Sequence, residues 1–301
     1  MTRDEQSLAA IEAGGIPLAA QERLDELKRR GGGFFTSDLS TNEFLLLRQA
    51  GFEPVTQVMG SSVYHVGWQQ MPWASSWTYA DGGSAELDVL TGAWNEARRL
   101  ALGRLTEEAR RAGADAVVGV RLERKRLDVT SDLVEFAAFG TAVRSTRYAL
   151  GDETVLSNLS GQDFAKLFVH GYWPVGFVAD TSVTYVVAGY ASRQAKQGLL
   201  ARTAQGGPAF MQNMELTDYT QGFYEARANA MRRLERQAHE LSAQGIVGVQ
   251  ISQQKEEREV DQGGPRTDLI VTVHVLGTAI VELRGVEPPP TYYAVSVKEN
   301  A

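Results

Sequence analysis

Ser37-Asp-Leu-Ser40 returns 120 residues later as Ser157-Asn-Leu-Ser160, and the offset persists: Phe44 falls on Phe164, Gly51 on Gly171, Pro54-Val55 on Pro174-Val175 and Ser62-Val63 on Ser182-Val183. Self-similarity at a fixed offset marks a duplicated structural unit. Past a loop the offset becomes 129, carrying Glu96-Ala97-Arg98 onto Glu225-Ala226-Arg227 and Val118-Gly119-Val120 onto Val247-Gly248-Val249. It ends at 137, with Gly140-Thr141-Ala142 on Gly277-Thr278-Ala279. The extra residues of copy two therefore enter in two places, the loop before the second long helix and the turn holding Gln262-Gly-Gly-Pro265, where insertions are tolerated.

Each copy reads as the same series of elements. Ser40 with Glu43 forms a capping-box pattern for a short helix to about Ala50, and Gly51 supplies its left-handed stop. Ser160 and Asp163 approximate this in copy two, where Asn158 in the sequon-like Asn158-Leu-Ser160 reads as a cap rather than a glycosylation site. A strand follows over 54–66, and over 174–187 in copy two. A long helix comes next, its apolar positions stepping by three and four through Leu87, Leu90, Trp94, Ala97, Ala101, Leu105 and Ala109, matched by Leu216, Tyr219, Phe223, Ala226, Ala230, Leu234 and Ala238. Two strands close each copy, over 116–126 and 133–144, then 245–253 and 268–283. The fold class is α+β, two tandem repeats of a small α-β-α-β-β domain.

In the last strand Val271, Val273 and Val275 lie on one side and His274, Leu276 and Ile280 on the other, so both faces need cover. A neighbouring subunit is the expected cover. The small residues Ala97 and Ala101 would let the helix approach another backbone closely, and Gly119 and Gly248 inside strands predict close backbone contact. Outside the repeats, 1–33 is a flexible, weakly helical arm. Domain one spans 34–147, domain two 155–284, and 285–301 is a Pro-rich tail.

Composition bounds the function. The chain has 301 residues and 32.9 kDa, with 43% hydrophobic and 22% charged residues, enough for a sizeable core. A net charge of -7 leaves no cationic excess for nucleic acid. The absence of Cys removes disulfides, thiolate nucleophiles and iron-sulfur ligation. The acidic start Met1-Thr-Arg-Asp-Glu-Gln is no signal peptide, and no apolar run reaches the ~18 residues of a membrane span, so a cytoplasmic protein is expected. No Gly-x-Ser-x-Gly, Walker or Rossmann pattern occurs, which predicts a protein that is not an enzyme.

The run Ala93-Trp-Asn-Glu-Ala-Arg-Arg-Leu-Ala-Leu-Gly-Arg-Leu-Thr-Glu-Glu-Ala-Arg-Arg-Ala-Gly-Ala-Asp-Ala-Val-Val-Gly-Val120, with Phe139-Gly-Thr-Ala-Val143 after it, resembles the YbjQ family, also called the "putative heavy-metal-binding" domain. Ser242-Ala-Gln-Gly-Ile-Val-Gly-Val249 and Gly277-Thr-Ala-Ile280 make copy two a second, more diverged member. The resemblance implies small α/β domains that assemble into rings, often pentameric, without established catalysis. A chain bearing two domains puts an even number into any one ring. Either like copies form separate stacked rings of five chains or unlike copies alternate in one ring. The divergence of Glu107 to Arg236 and Gly103 to Arg232 favours stacked rings.

Candidate sites follow from retention between copies. A divalent metal would need convergent His, Cys or carboxylate ligands. His65 falls opposite Tyr185, His170 opposite Ala50, His239 opposite Arg110 and His274 opposite Ala137, so no His is kept, and we read all four as packing or surface residues. Glu96 with Glu225 and Arg98 with Arg227 are the repeat-matched polar candidates, although helix-dipole preference alone accounts for the acids. Trp68, Trp73 and Trp77, close together before the first long helix, either cover their own core or offer a surface to a protein partner; with Ala97 and Ala101 they are the interface candidates. The expectation is a non-enzymatic, self-associating ring or scaffold, with a metal or small-ligand binding module as the alternative.

Overall fold

A computed structural model describes residues 2–29, 34–69, 82–126, 133–148, 150, 153–190, 192–193, 215–261 and 266–283. In chain order its elements are α1 (Arg3–Glu12), α2 (Leu18–Arg29), α3 (Thr41–Gln49), β1 (Phe52–His65), β2 (Gly83–Glu86), α4 (Asp88–Arg111), β3 (Ala116–Arg126), β4 (Leu133–Ser145), β5 (Val155–Leu156), α5 (Gly161–Val169), β6 (Tyr172–Val187), α6 (Thr217–Glu240), β7 (Gly245–Val260) and β8 (Arg266–Glu282). The predicted series is present in both copies. The tail at 285–301 lies outside the described residues.

Local chemistry sets the ends of these elements in parallel. Ser40 Oγ accepts the Glu43 N–H while Glu43 accepts the Ser40 N–H, and Ser160 accepts the Asp163 N–H. Gly51 and Gly171 end the two short helices at φ 88° and 83°, a region that penalises a Cβ. Asp38 and Asn158 are matched as well: Thr141 Oγ1 donates to Asp38 and Thr278 Oγ1 to Asn158, pinning each entry segment to its own sheet. At Gly248 the expected close contact is there, a Cβ meeting Leu159 Cδ2 at 2.9 Å, whereas one on Gly119 meets open space; a second role is common to the two. Both sit at φ near 60° (65° and 62°) where the ladder skips between Val118 and Arg121, or Val247 and Gln250, so each supplies the left-handed residue of a bulge.

The four-stranded sheets run β1-β4-β3-β5 and β2-β6-β8-β7. Helix α4 lies on β1 and β4, and α6 on β6 and β8. Ala97, Ala101, Leu105 and Ala109 are buried with Val58, Ala138 and Ala142 of their own sheet, so the alanine stripe packs within its copy and not on a neighbouring chain. The approach is closest at Gly60, where a Cβ would meet the Ala101 carbonyl at 2.0 Å. Beneath α6, Val271, Val273 and Val275 pack with Ala226, Ala230 and Leu234. The opposite face of β8 is covered from inside the chain: Ile270 shares a core with Trp94, Val134 and Phe136 of copy one. The N-terminal arm is folded rather than loose, since α1 and α2 bring Ile16 and Leu24 into a small core with Ala112.

Candidate functional site at the junction of the two copies

The two copies complete each other's sheets. Strand β2 leaves copy one and pairs antiparallel with β6, Gly83 opposite Val187 and Glu86 opposite Thr184. Strand β5 leads into copy two and pairs parallel with β3, Ala116 opposite Val155 and Val117 opposite Leu156. The chain continues along that edge: Gly119 N–H donates to the Leu159 carbonyl and Val120 N–H to that of Ser157. Backbone groups that would otherwise stand unpaired are satisfied only because the partner copy is there.

A partly buried polar cluster lies at this junction. Arg233 of α6 donates to Glu86 of copy one at 2.8 and 3.1 Å, to Asp180 at 2.7 Å and to the Thr181 carbonyl at 3.1 Å. Asn95 of α4 clamps the Thr181 backbone from both directions, its amide donating to the carbonyl at 3.1 Å and accepting the N–H at 2.9 Å. Arg98 donates to Thr181 Oγ1 at 3.0 Å, and the same hydroxyl lies 2.8 Å from His274 Nδ1. The His274 ring stands edge-to-face against Trp94 at 5.3 Å, and Trp94 against Phe136 at 5.4 Å. Arg98, Arg124, Asp180, Thr181, Ser252 and His274 line a cavity of about 200 Å³.

Burial and neighbouring charge set the protonation of the titratable groups in the cluster. Burial lowers His274 to about 2, and the Arg124 and Arg98 charges push the same way, so its imidazole is neutral. Burial also raises Asp180, against the opposing bonds and charge of Arg233. For Glu86 burial pulls upward, but hydrogen bonds from Arg233 and Ser182 outweigh it and hold the carboxyl below its ordinary value. Arg98 is lowered to about 10, chiefly by burial, and stays charged. The His274 imidazole and the Arg98 guanidinium are therefore not poised to exchange a proton near pH 7.

Of the residues singled out from the sequence, His274 lies in this cluster and Glu225 reaches the junction through Ser84 of copy one, while the repeat-matched candidate buried in the cluster is Arg98. Its repeat partner Arg227 is exposed. Glu96 forms a surface pair with Arg99 at 2.6 Å, and Glu225 accepts from Gln221 and from Ser84. Trp68 is exposed, while Trp73 and Trp77 lie outside the described residues. The metal label finds no matching donor set: among the described residues no three His, Cys, Asp or Glu side chains converge, and His274 sits between arginines that disfavour a cation. Comparing copies for retained residues missed Asp180, Thr181 and His274 because they are the divergent ones, opposite Gly60, Ser61 and Ala137. Glu86 and Arg233 do have retained partners, Glu215 and Arg104, and that signal was available.

A family model described as "Putative heavy-metal-binding" matches residues 57–146 and 208–282, one segment in each copy. The chain is 39% identical to the "Encapsulin nanocompartment protein Rv1762c" of Mycobacterium tuberculosis, over 79% of this chain and 84% of that protein. It is also similar to UPF0145 proteins of Enterococcus faecalis, at 37% identity over 20% of this chain and 54% of the relative, and of Clostridium perfringens, at 40% over 23% and 62%. Among the described residues no helix is long and apolar enough to cross a membrane.

Proposed function

The chain belongs to the YbjQ family, and from that membership and the way its copies hold each other we propose that it is a non-enzymatic cytoplasmic scaffold, self-assembling into a closed homo-oligomer that works in an encapsulin-type nanocompartment. One observation carries this reading: each copy's sheet is finished by a strand lent from the other, so the repeat is a unit built to be joined to its like. The buried ionisable groups support a structural role, since Arg233 occupies both carboxylates of the cluster and His274 is held neutral. The compartment assignment draws on the similarity to the M. tuberculosis protein. Native mass spectrometry is expected to give a multiple of 32.9 kDa, and gradient sedimentation of lysate from the native cell is expected to place the protein with compartment particles. A monomer at micromolar concentration, or sedimentation apart from the particles, would reject the respective part of the proposal.

A second reading is favoured by charge alone: two arginines (98 and 124) and one carboxylate (Asp180, itself paired with Arg233) line the cavity, a surplus that suits a small anion rather than a metal ion. Thermal shifts against phosphate and against divalent cations separate the two ligand classes; stabilisation by the cations and none by phosphate would reject the anion.

A further inference from the structure

The junction inside the chain has two unused halves. Copy one offers its β3 edge to β5 and lends β2 to β6, and both contacts lie at one boundary between unlike copies. The outer edges of the sheets, β1 on copy one and β7 on copy two, have no strand beside them among the described residues. These are the repeat counterparts of the two edges used inside, because β1 corresponds to β6 and β7 to β3.

Burial follows the same logic residue by residue. Val183 on β6 is 0% exposed, and its counterpart Val63 on β1 is 58% exposed. Val120 on β3 is 3% exposed, and its counterpart Val249 on β7 is 42%. Met59 and Ile251 are likewise large apolar residues left exposed at these edges, and Arg227 is exposed where Arg98 is buried. The segment corresponding to β5 is Phe35-Thr36, exposed in copy one, whereas Leu156 is buried.

We infer that the intrachain junction is repeated between chains: Phe35-Thr36 of one chain pairs in parallel with Gly245-Ile246 at the start of β7 of another, and copy one of the first packs on copy two of the second. This rests on the scaffold reading and names its contact surface. Applying the internal register carries the pair Val117 with Leu156 onto Ile246 with Thr36. It also carries Glu86 onto Glu215 and Arg233 onto Arg104. Arg104 already donates to the Ser61 carbonyl, as Arg233 does to that of Thr181, so a carboxylate arriving from Glu215 would rebuild half of the internal clamp. Its other donors reach the carbonyls of Gly15 and Ile11, weaker partners than a carboxylate. The contact is head-to-tail, so it propagates until it closes, and the ring alternates unlike copies with an even number of domains. Stacked rings of like copies, favoured from the sequence, would use a different contact from the one the chain displays.

The Cys-free background allows a direct test. Neighbouring strands place paired Cα atoms about 5 Å apart, within disulfide reach. Thr36→Cys with Ile246→Cys, oxidised, is expected to give a ladder of covalent multimers on a non-reducing gel, and each single variant no ladder beyond a dimer. Val117→Cys with Leu156→Cys is the control, closing within one chain. Val249→Lys with Ile251→Lys alters residues exposed in the chain, so the fold should survive by circular dichroism while the oligomer peak collapses to 32.9 kDa. An oligomer that shows no ladder and ignores the two lysines would overturn this contact and leave the scaffold reading standing. A monomeric wild type would end both.

Discussion

Replacing Arg233 with Met removes the cation that bridges Glu86 of copy one to Asp180 of copy two. The guanidinium stem and its pocket are kept in size, but two carboxylates lose their partner, and Asp180 is only 5% exposed. Breaking one side of a buried pair costs roughly 3 to 5 kcal/mol, because an uncompensated charge is left behind. Arg233 and Glu86 retain some solvent contact, which points to the lower figure, about 3 kcal/mol, or about 6 °C in melting temperature for a chain of this size. The pH dependence makes the test specific. In the wild type Glu86 is held below its ordinary value, so its stabilisation is present above about pH 4.5 and fades as pH falls through its folded pKa. Asp180 is raised by burial, so its share is fully present below its unfolded value near 3.8 and is lost as pH rises through the folded one. Above pH 4.5 the Glu86 share is constant, so any drift of the wild type from the cluster between pH 4.5 and 7 is the decline of the Asp180 share as pH rises. Without Arg233 both groups rise, both prefer the protonated form, and acid becomes stabilising. Melting curves at pH 7 and pH 4.5 should therefore show a deficit that shrinks on acidification. A deficit under about 1 kcal/mol at pH 7, or one unchanged at pH 4.5, would refute the clamp.

Three further outcomes follow from single contacts. Gly60→Val should abolish or cripple folding, since its Cβ would lie 2.0 Å from the Ala101 carbonyl on a helix that cannot withdraw; soluble yield and melting temperature check it. Gly119→Ala meets open space, so only the left-handed backbone is penalised, and a loss of about 1 to 2 kcal/mol in chemical denaturation is expected, with Gly119→Asn recovering part of it. Tyr185→Phe removes the hydroxyl that donates to the fully buried Asp268 at 2.8 Å, leaving a carboxylate short of a donor, and should cost roughly 1.5 to 3 kcal/mol in the same assay.

The element order, both capping serines and both stop glycines were legible because they depend on neighbours a few residues away. The doubly apolar β8 correctly demanded a second cover, but periodicity is silent on who supplies it, and the supplier proved to be Trp94 and Phe136 of the same chain. The alanine stripe was misplaced for a related reason. Small residues announce a close approach without naming the partner, and here the partner is Gly60. Strands β2 and β5 are four and two residues long, too short to carry a period, and they form only because an edge from the other copy is waiting.

Divergence between the copies then acquires a physical cause. A junction inside the chain forms at high effective concentration, which leaves its residues free to differ from the other copy: Asp180, Thr181 and His274 stand where copy one has Gly60, Ser61 and Ala137, and an ionic cluster surrounds Arg233. Such a cluster contributes register more than energy, since its Coulomb gain is largely offset by desolvation, and it discriminates against any pairing of copies that leaves Arg233 and Asp180 without Glu86. The matching outer surfaces carry the simpler set, with Gly60 in place of a carboxylate, Ala137 in place of a neutral imidazole and Arg104 held by arm carbonyls. The inner boundary is thereby locked in one register, and the outer one keeps the apolar edges and a single pre-positioned arginine, the composition of a contact that forms second and by mass action.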